Sequence, residues 1–151
     1  MTTLYFTHEQ GLAHVTPPGH PERPQRLEAV LGALDGLPLE RREAPYARRD
    51  AVERVHPSAY VSAIEGVFPK AGEGMIALDS GDTFLSDGSR QAAWRAAGAV
   101  TAAVNAVAAG EWQRTRSLTL LVNRQELVLR RLARDEAVTR RKITEIEELT
   151  R

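Results

Sequence analysis

Pro17-Pro18-Gly19-His20-Pro21-Glu22-Arg23-Pro24-Gln25-Arg26-Leu27 is the stretch on which the reading of this chain turns. It holds four prolines, one glycine, one histidine, one carboxylate and two arginines in eleven residues, then runs straight into an apolar-periodic segment. Proline fixes φ and withholds a backbone donor, so the stretch is neither a central strand nor a helix interior. Pro24 suits the first position of a helix, where a missing N–H is no loss. The expectation is a stiff entry loop presenting His20, Glu22, Arg23 and Arg26 from a fixed backbone. Such a loop is either a functional rim or a structural connection whose charges pair with each other.

The 151 residues suit one domain, or a domain with an appended segment, and can bury roughly two-thirds of the surface an unfolded chain exposes. A formal net charge of +0 argues against a dedicated nucleic-acid binder, which would carry a basic excess. The charge is unevenly spread: the part after Trp112 is arginine-rich and net basic, so the part before it is net acidic. With no cysteine there are neither disulfides nor Cys-ligated metal sites. Met1-Thr2-Thr3-Leu4-Tyr5-Phe6 lacks the basic start and apolar run of a signal peptide. The Ala-rich run from Ala92 to Ala109 is interrupted by Trp94-Arg95 and Asn105, short of the ~20 apolar residues of a membrane span. A cytoplasmic protein with neither nucleic-acid nor membrane partners is the expectation.

Leu4-Tyr5-Phe6-Thr7-His8 reads as a short strand. Leu27, Val30, Leu31 and Leu34 fall at helical spacing from Pro24 onward, and Asp35-Gly36 ends the run. Leu37 to Ala44 reads as a second strand, Asp50 as the cap of a short helix through Val55, and Pro57 as the first residue of a helix carrying Tyr60, Val61 and Ile64 on one side. Gly66 to Gly74 reads as a loop, and so does the acid- and hydroxyl-rich stretch following Met75-Ile76-Ala77-Leu78. Arg90 to Ala109 is a long helix, small and apolar nearly all round. Beyond Trp112, Ser117 to Val122 reads as a strand, and Leu129, Leu132, Ile143 and Ile146 belong to a solvated amphipathic helix or two joined ones.

Three separated clusters together resemble one family. They are Gly19-His20-Pro21-Glu22-Arg23-Pro24 with Arg26-Leu27; Val55-His56-Pro57 with Tyr60-Val61 and Ile64-Glu65; and Leu78-Asp79 with Asp82-Thr83, Ser86 and Ser89. The last runs into Ala92-Ala93, Ala96-Ala97-Gly98, Val104, Ala106-Val107 and Gly110-Glu111. In order and spacing they resemble the N-terminal third of the histone deacetylase superfamily, over about residues 4 to 112, in the class II branch that includes acetylpolyamine and acetoin-utilisation deacetylases. The resemblance implies an α/β chain, an N-terminal fragment of the open parallel-sheet arginase/deacetylase fold with an added helical C-terminal tail. In the complete family a zinc-bound water, activated by a histidine pair, attacks the carbonyl of an acetylated lysine or polyamine.

By the same resemblance Asp82 is a rim aspartate that accepts backbone hydrogen bonds from substrate, His20, Glu22 and Arg23 shape the rim, and Arg26 lines a channel beneath the site. Plainer readings stand beside these. Asp82 also reads as a turn aspartate, Arg26 as a helix-surface arginine paired with Glu22 or Glu28, and Glu22 with Arg23 as a charge pair fixing the loop. His56 reads as a helix-start histidine packing its ring. His8, His14, His20 and His56 lack an i, i+4 pair and are not expected to build a metal site, and the six-residue interval between the first three reads as accident.

After Gly110-Glu111 the family pattern leads to Arg-Pro-Pro-Gly-His-His; this chain reads Trp112-Gln113-Arg114-Thr115-Arg116-Ser117, with no histidine after His56 and no proline after Pro69. Residues 1–112 are therefore expected to form the N-terminal part of a deacetylase-like domain, and 113–151 an unrelated basic, mostly helical tail, by truncation or a shift of frame. No catalytic residue, metal ligand or cofactor is expected in this chain, which would be inactive alone. The other hypothesis is a non-catalytic interaction or oligomerisation protein that self-associates through an exposed sheet edge and the amphipathic tail.

Overall fold

The computed structural model describes residues 3–70 and 72–109. The strand expected at 117–122 and the tail expected over 113–151 lie outside the described residues. Strand β1 is Thr3–Thr7, whose aromatic and β-branched residues suit a pleated surface and whose Leu4 is fully buried. Helix α1 is Pro24–Leu34, with Pro24 in the first turn as its missing donor allows. Strand β2, Leu39–Glu43, returns parallel to β1 with Thr3 opposite Leu39 and Thr7 opposite Glu43. Parallel neighbours need a crossover of a dozen or more residues, and α1 with its flanking loops supplies it. The Ala44 N–H prolongs the ladder, donating to the Thr7 carbonyl at 2.9 Å.

Helices α2, Arg49–Glu53, and α3, Ser58–Val67, follow. Two sequence expectations are corrected here. The N-cap of α2 is Arg48; Asp50 stands inside the first turn, where its carboxylate takes the Arg48 guanidinium at 3.0 Å and suits the helix's positive end. Pro57 is the N-cap of α3, one place earlier than expected, because its ψ of 138° is extended while its carbonyl already accepts the Val61 N–H. Tyr60 and Val61 are buried as the spacing predicts. Val67, also on α3, joins Leu78 and Leu85 in a small core with Ala63, Ile64 and Phe68 against it.

Leu78 ends an apolar run, and Leu85 belongs to the stretch after it, expected to be loop. Together they make a hairpin: β3, Ile76–Ala77, pairs antiparallel with β4, Phe84–Leu85. The reversal is made by Asp79, whose Oδ1 accepts the Gly81 N–H at 2.9 Å and whose Oδ2 accepts the Thr83 hydroxyl at 3.1 Å. Leu78 N–H closes it onto the Thr83 carbonyl at 2.8 Å. Strands of two residues leave no alternation to read.

Helix α4 is Ser89–Ala108. It buries one stripe, Ala92, Ala96, Ala99, Ala103 and Ala106, while Val104 is 60 % exposed, so the expected all-round burial is replaced by a single face. Small residues let backbones meet. The Trp94 carbonyl accepts the Ala47 N–H at 2.9 Å, one turn before Gly98, whose missing side chain leaves room for that approach. A Cβ on Gly98 would stand 1.8 Å from the Pro45 carbonyl oxygen. Between α3 and α4 lies an apolar cavity of ≈ 70 Å³, lined by Val52, Tyr60, Ile64, Phe68 and Ala97 among others.

Gly98→Ala is expected to cost about 3 kcal/mol or more in denaturant unfolding, since two backbones must separate. The control Gly66→Ala, in open space on α3, is expected to gain about 0.5–1 kcal/mol from reduced freedom of the unfolded chain. The Tyr60 hydroxyl is buried with no hydrogen-bond partner among the described residues, and burial pushes it up to about 12. Tyr60→Phe is therefore expected to raise the unfolding free energy by about 1 kcal/mol in denaturant unfolding, because an unpaired buried hydroxyl carries a desolvation penalty.

Candidate functional site

The proline loop is built on one tight turn. His20 N–H donates to the Pro17 carbonyl at 3.0 Å, with Gly19 at φ +82°. Proline in the second place and glycine at positive φ in the third is the residue pattern of a type II turn. The chain then folds over its own backbone: the Thr16 hydroxyl donates to the Glu22 carbonyl, and His20 Nδ1 takes the Glu22 N–H at 3.1 Å. The far side of the same ring reaches the hairpin. Nε2 is 3.1 Å from the Asp82 carbonyl, which only accepts, so Nε2 carries the proton. Phe84 meets the ring edge-on, centroids 5.5 Å apart.

The fold thus brings His20, Glu22 and Asp82 together. Arg23 and Arg26 are exposed, and Arg26 Nη1 reaches the Pro21 carbonyl at 3.4 Å. Asp82 is also exposed, and the turn-forming role that its sequence allowed belongs to Asp79.

A second clamp, absent from the sequence reading, lies under the loop. His14 Nδ1 is 2.7 Å from the fully buried Ser89 Oγ. Ser89 Oγ accepts the Ser86 N–H at 2.7 Å and lies 3.2 Å from Ser86 Oγ, which in turn accepts the Val15 N–H at 2.9 Å. Burial, and then the nearby His20, hold His14 below its ordinary value of 6.5. The backbones also touch: a Cβ on Gly88 would lie 2.1 Å from the Ala13 carbonyl oxygen. The signal available in the sequence was the pair of serines three residues apart at the mouth of an alanine-rich helix.

Two polar networks brace α4 from outside. Arg95 donates to the Ala44 carbonyl at 2.7 Å and to Gln10 Oε1 at 2.9 Å, and lies over the Tyr46 ring at 3.9 Å. Glu65 on α3 accepts Arg90 Nη2 at 2.7 Å and the Trp94 indole N–H. Those bonds, Arg90 first, hold the Glu65 carboxyl below the usual carboxylate range against the opposing effect of burial. His56 is buried with its ring tilted against Tyr60 at 5.8 Å, the packing role expected of it.

Among the described residues no three His, Asp or Glu side chains converge on a point where a metal ion would sit. Both ring nitrogens of His20 face backbone groups, and His14 Nδ1 faces Ser89. These residues do not fit the zinc of the complete family.

The chain matches the histone deacetylase domain family over residues 20–122, more than half its length, and belongs to that family. Among solved structures, the crystal structure of the HDA15 HD domain shares the fold with a TM-score of 0.65 at 24% identity. The match covers 76% of this chain and 34% of that one, so the chain spans about a third of the solved domain. Among curated proteins none matches.

The Glu65 clamp sets an acid limit. A carboxyl with a depressed folded-state value contributes stability above its unfolded value of 4.5 and loses it as pH falls through the folded value. Glu65→Gln is expected to lower the urea midpoint at neutral pH, and the gap to the parent chain is expected to close on acidification below that range. A gap independent of pH would contradict the ionic origin of the clamp.

Proposed function

We propose that this chain carries the rim of an amide-hydrolysing deacetylase site whose substrate is an acetylated lysine or an acetylated polyamine. The observation that supports this is the single His20 ring joined to Glu22 on one side and to Asp82 on the other. It unites the first and the third of the three clusters on which the family resemblance rests. Asp82 is held by its backbone carbonyl, so its exposed carboxylate stands on a loop already ordered. An ordered acceptor binds amide N–H groups with less loss of freedom than a floppy one. Arg26 stands in the first turn of α1, where the proline loop ends, and in this reading lines the channel beneath the pocket.

The histidine pair of the complete reaction has no counterpart in this sequence, since no histidine follows His56. In this reading the chain by itself holds the substrate's backbone without cleaving its amide.

The test is an amide-resolved NMR titration of the chain with an acetyl-lysine peptide and with an acetylated polyamine. Shifts are expected at His20 and at Asp82 to Phe84. Asp82→Ala is expected to weaken binding about tenfold or more, the worth of a hydrogen bond to a charged group. Its melting temperature is expected to stay within error, because the His20 bond goes to the backbone. Binding that ignores Asp82→Ala, or shifts confined to another face, would sink the rim reading. Acetate release by the chain with added zinc would overturn the inactivity and leave the rim in place.

A further inference from the structure

Helix α4 carries a second apolar line beside the stripe it buries. Ala93, Ala97, Val100, Val104 and Val107 each stand one place after a residue of that stripe, so they share the neighbouring face of the helix. At the start of this line Ala93 and Ala97 wall the apolar cavity of ≈ 70 Å³, with Tyr60, Ile64 and Phe68 opposite. The cavity is half-open. Toward the other end of the line Val100 is half-buried, Val104 is 60 % exposed and Val107 is 47 % exposed. Single exposed valines are ordinary on a protein surface. A row of them leading away from an open apolar cavity is a continuous face shaped for an apolar partner.

The chain supplies a partner of that chemistry at the right place. The described residues stop at Ala109, just past Val107, and residues 110–151 continue from that point. Within them the sequence places Leu118, Leu120, Leu121, Leu127, Leu129 and Leu132 in one leucine-rich run. Ala97 stands twelve residues before Ala109, about 18 Å back along the rise of an α-helix. A returning chain covers that distance in roughly six residues if extended and about twelve if helical. Residues 118–132 therefore reach from the end of the line to the cavity in either conformation.

Charge and tethering both favour this occupant over a second copy. Through Trp112 the chain has ten basic and fourteen acidic residues; after it, ten basic and six acidic. Two copies of the acidic part would repel, whereas the basic part is drawn to it. The run is also joined covalently to the end of the face it would cover. A tether of this length holds it at an effective concentration on the order of millimolar, which a free second copy in dilute solution does not match.

We propose that residues 118–132 fold back along α4 and cover the line of Val100, Val104 and Val107 and the open side of the α3–α4 cavity. The proposal stands without the deacetylase reading, since it concerns only how the chain closes its own apolar face.

A single spin label tests it. The chain has no cysteine, so Asn105→Cys, exposed on α4 beside Val104, takes one nitroxide. In the dilute labelled full chain, the amide NMR signals of residues 118–132 are expected to broaden and to recover when the nitroxide is reduced. In a mixture of labelled chain with isotope-enriched unlabelled chain, the enriched signals are expected to stay sharp. Sharp signals in the first sample would mean that the run leaves the face bare; broadening in the mixture would mean that a second copy covers it. Either result overturns the proposal. Val104→Asp puts a carboxylate in the line, and is expected to lower hydrogen-exchange protection of the 118–132 amides about tenfold or more, while the Ala44 amide on the β1–β2 ladder keeps its own. Protection of the run unchanged by Val104→Asp would also overturn it. If that variant fails to fold, the two spin-label samples decide by themselves.

Discussion

Helix α4 lies backbone to backbone on the segment that leaves β2, and the remaining contacts depend on that closeness. The approach is possible because Gly98 has no side chain and because the stripe beneath it is alanine. With the helix axis so near the strand exit, Arg95 can reach the Ala44 carbonyl, and Ala47 can share a carbonyl that is already part of the helix. A larger residue at position 98 would move the helix outward and strip those bonds from both sides. The other end repeats the principle, with Gly88 pressed on Ala13. Two glycines thus set the distance at which every side chain of α4 works.

Against that fixed helix the proline loop is held by polar atoms more than by burial. Pro17, Glu22 and Asp82 each contribute backbone groups, and the loop's own turn is set by Gly19. The loop therefore presents side chains from a frame with few soft dihedrals. Two histidines fasten it, His20 to the hairpin and His14, just before the loop, to the start of α4. The partners are backbone groups in one case and a pair of serine hydroxyls in the other.

Elements with strong local signals were legible. Pro24 and Asp35-Gly36 bracket α1, and the alanine run marks α4 to within a residue at each end. The β3–β4 hairpin was not, because two-residue strands carry no period and Asp79 closes the turn through side-chain bonds that resemble any acidic loop. Asp50 misled because a carboxylate favours both the cap and the first turn, and Arg48 drew it into the latter. A family resemblance singles out His20 and Asp82 as separate motifs; that one ring joins them is a fact of three dimensions. The role of His14 has no local signature, because its partner lies 75 residues away.

That same span orders events in time. Val15 waits on Ser86 and His14 on Ser89, so the first loop of the chain cannot be fastened until residues near position 89 have been made and folded. During synthesis the N-terminal strand and helix can pair with β2 early, over a short separation. The proline loop stays unfastened until more than half of the polypeptide has been made. It is early in sequence and late in assembly.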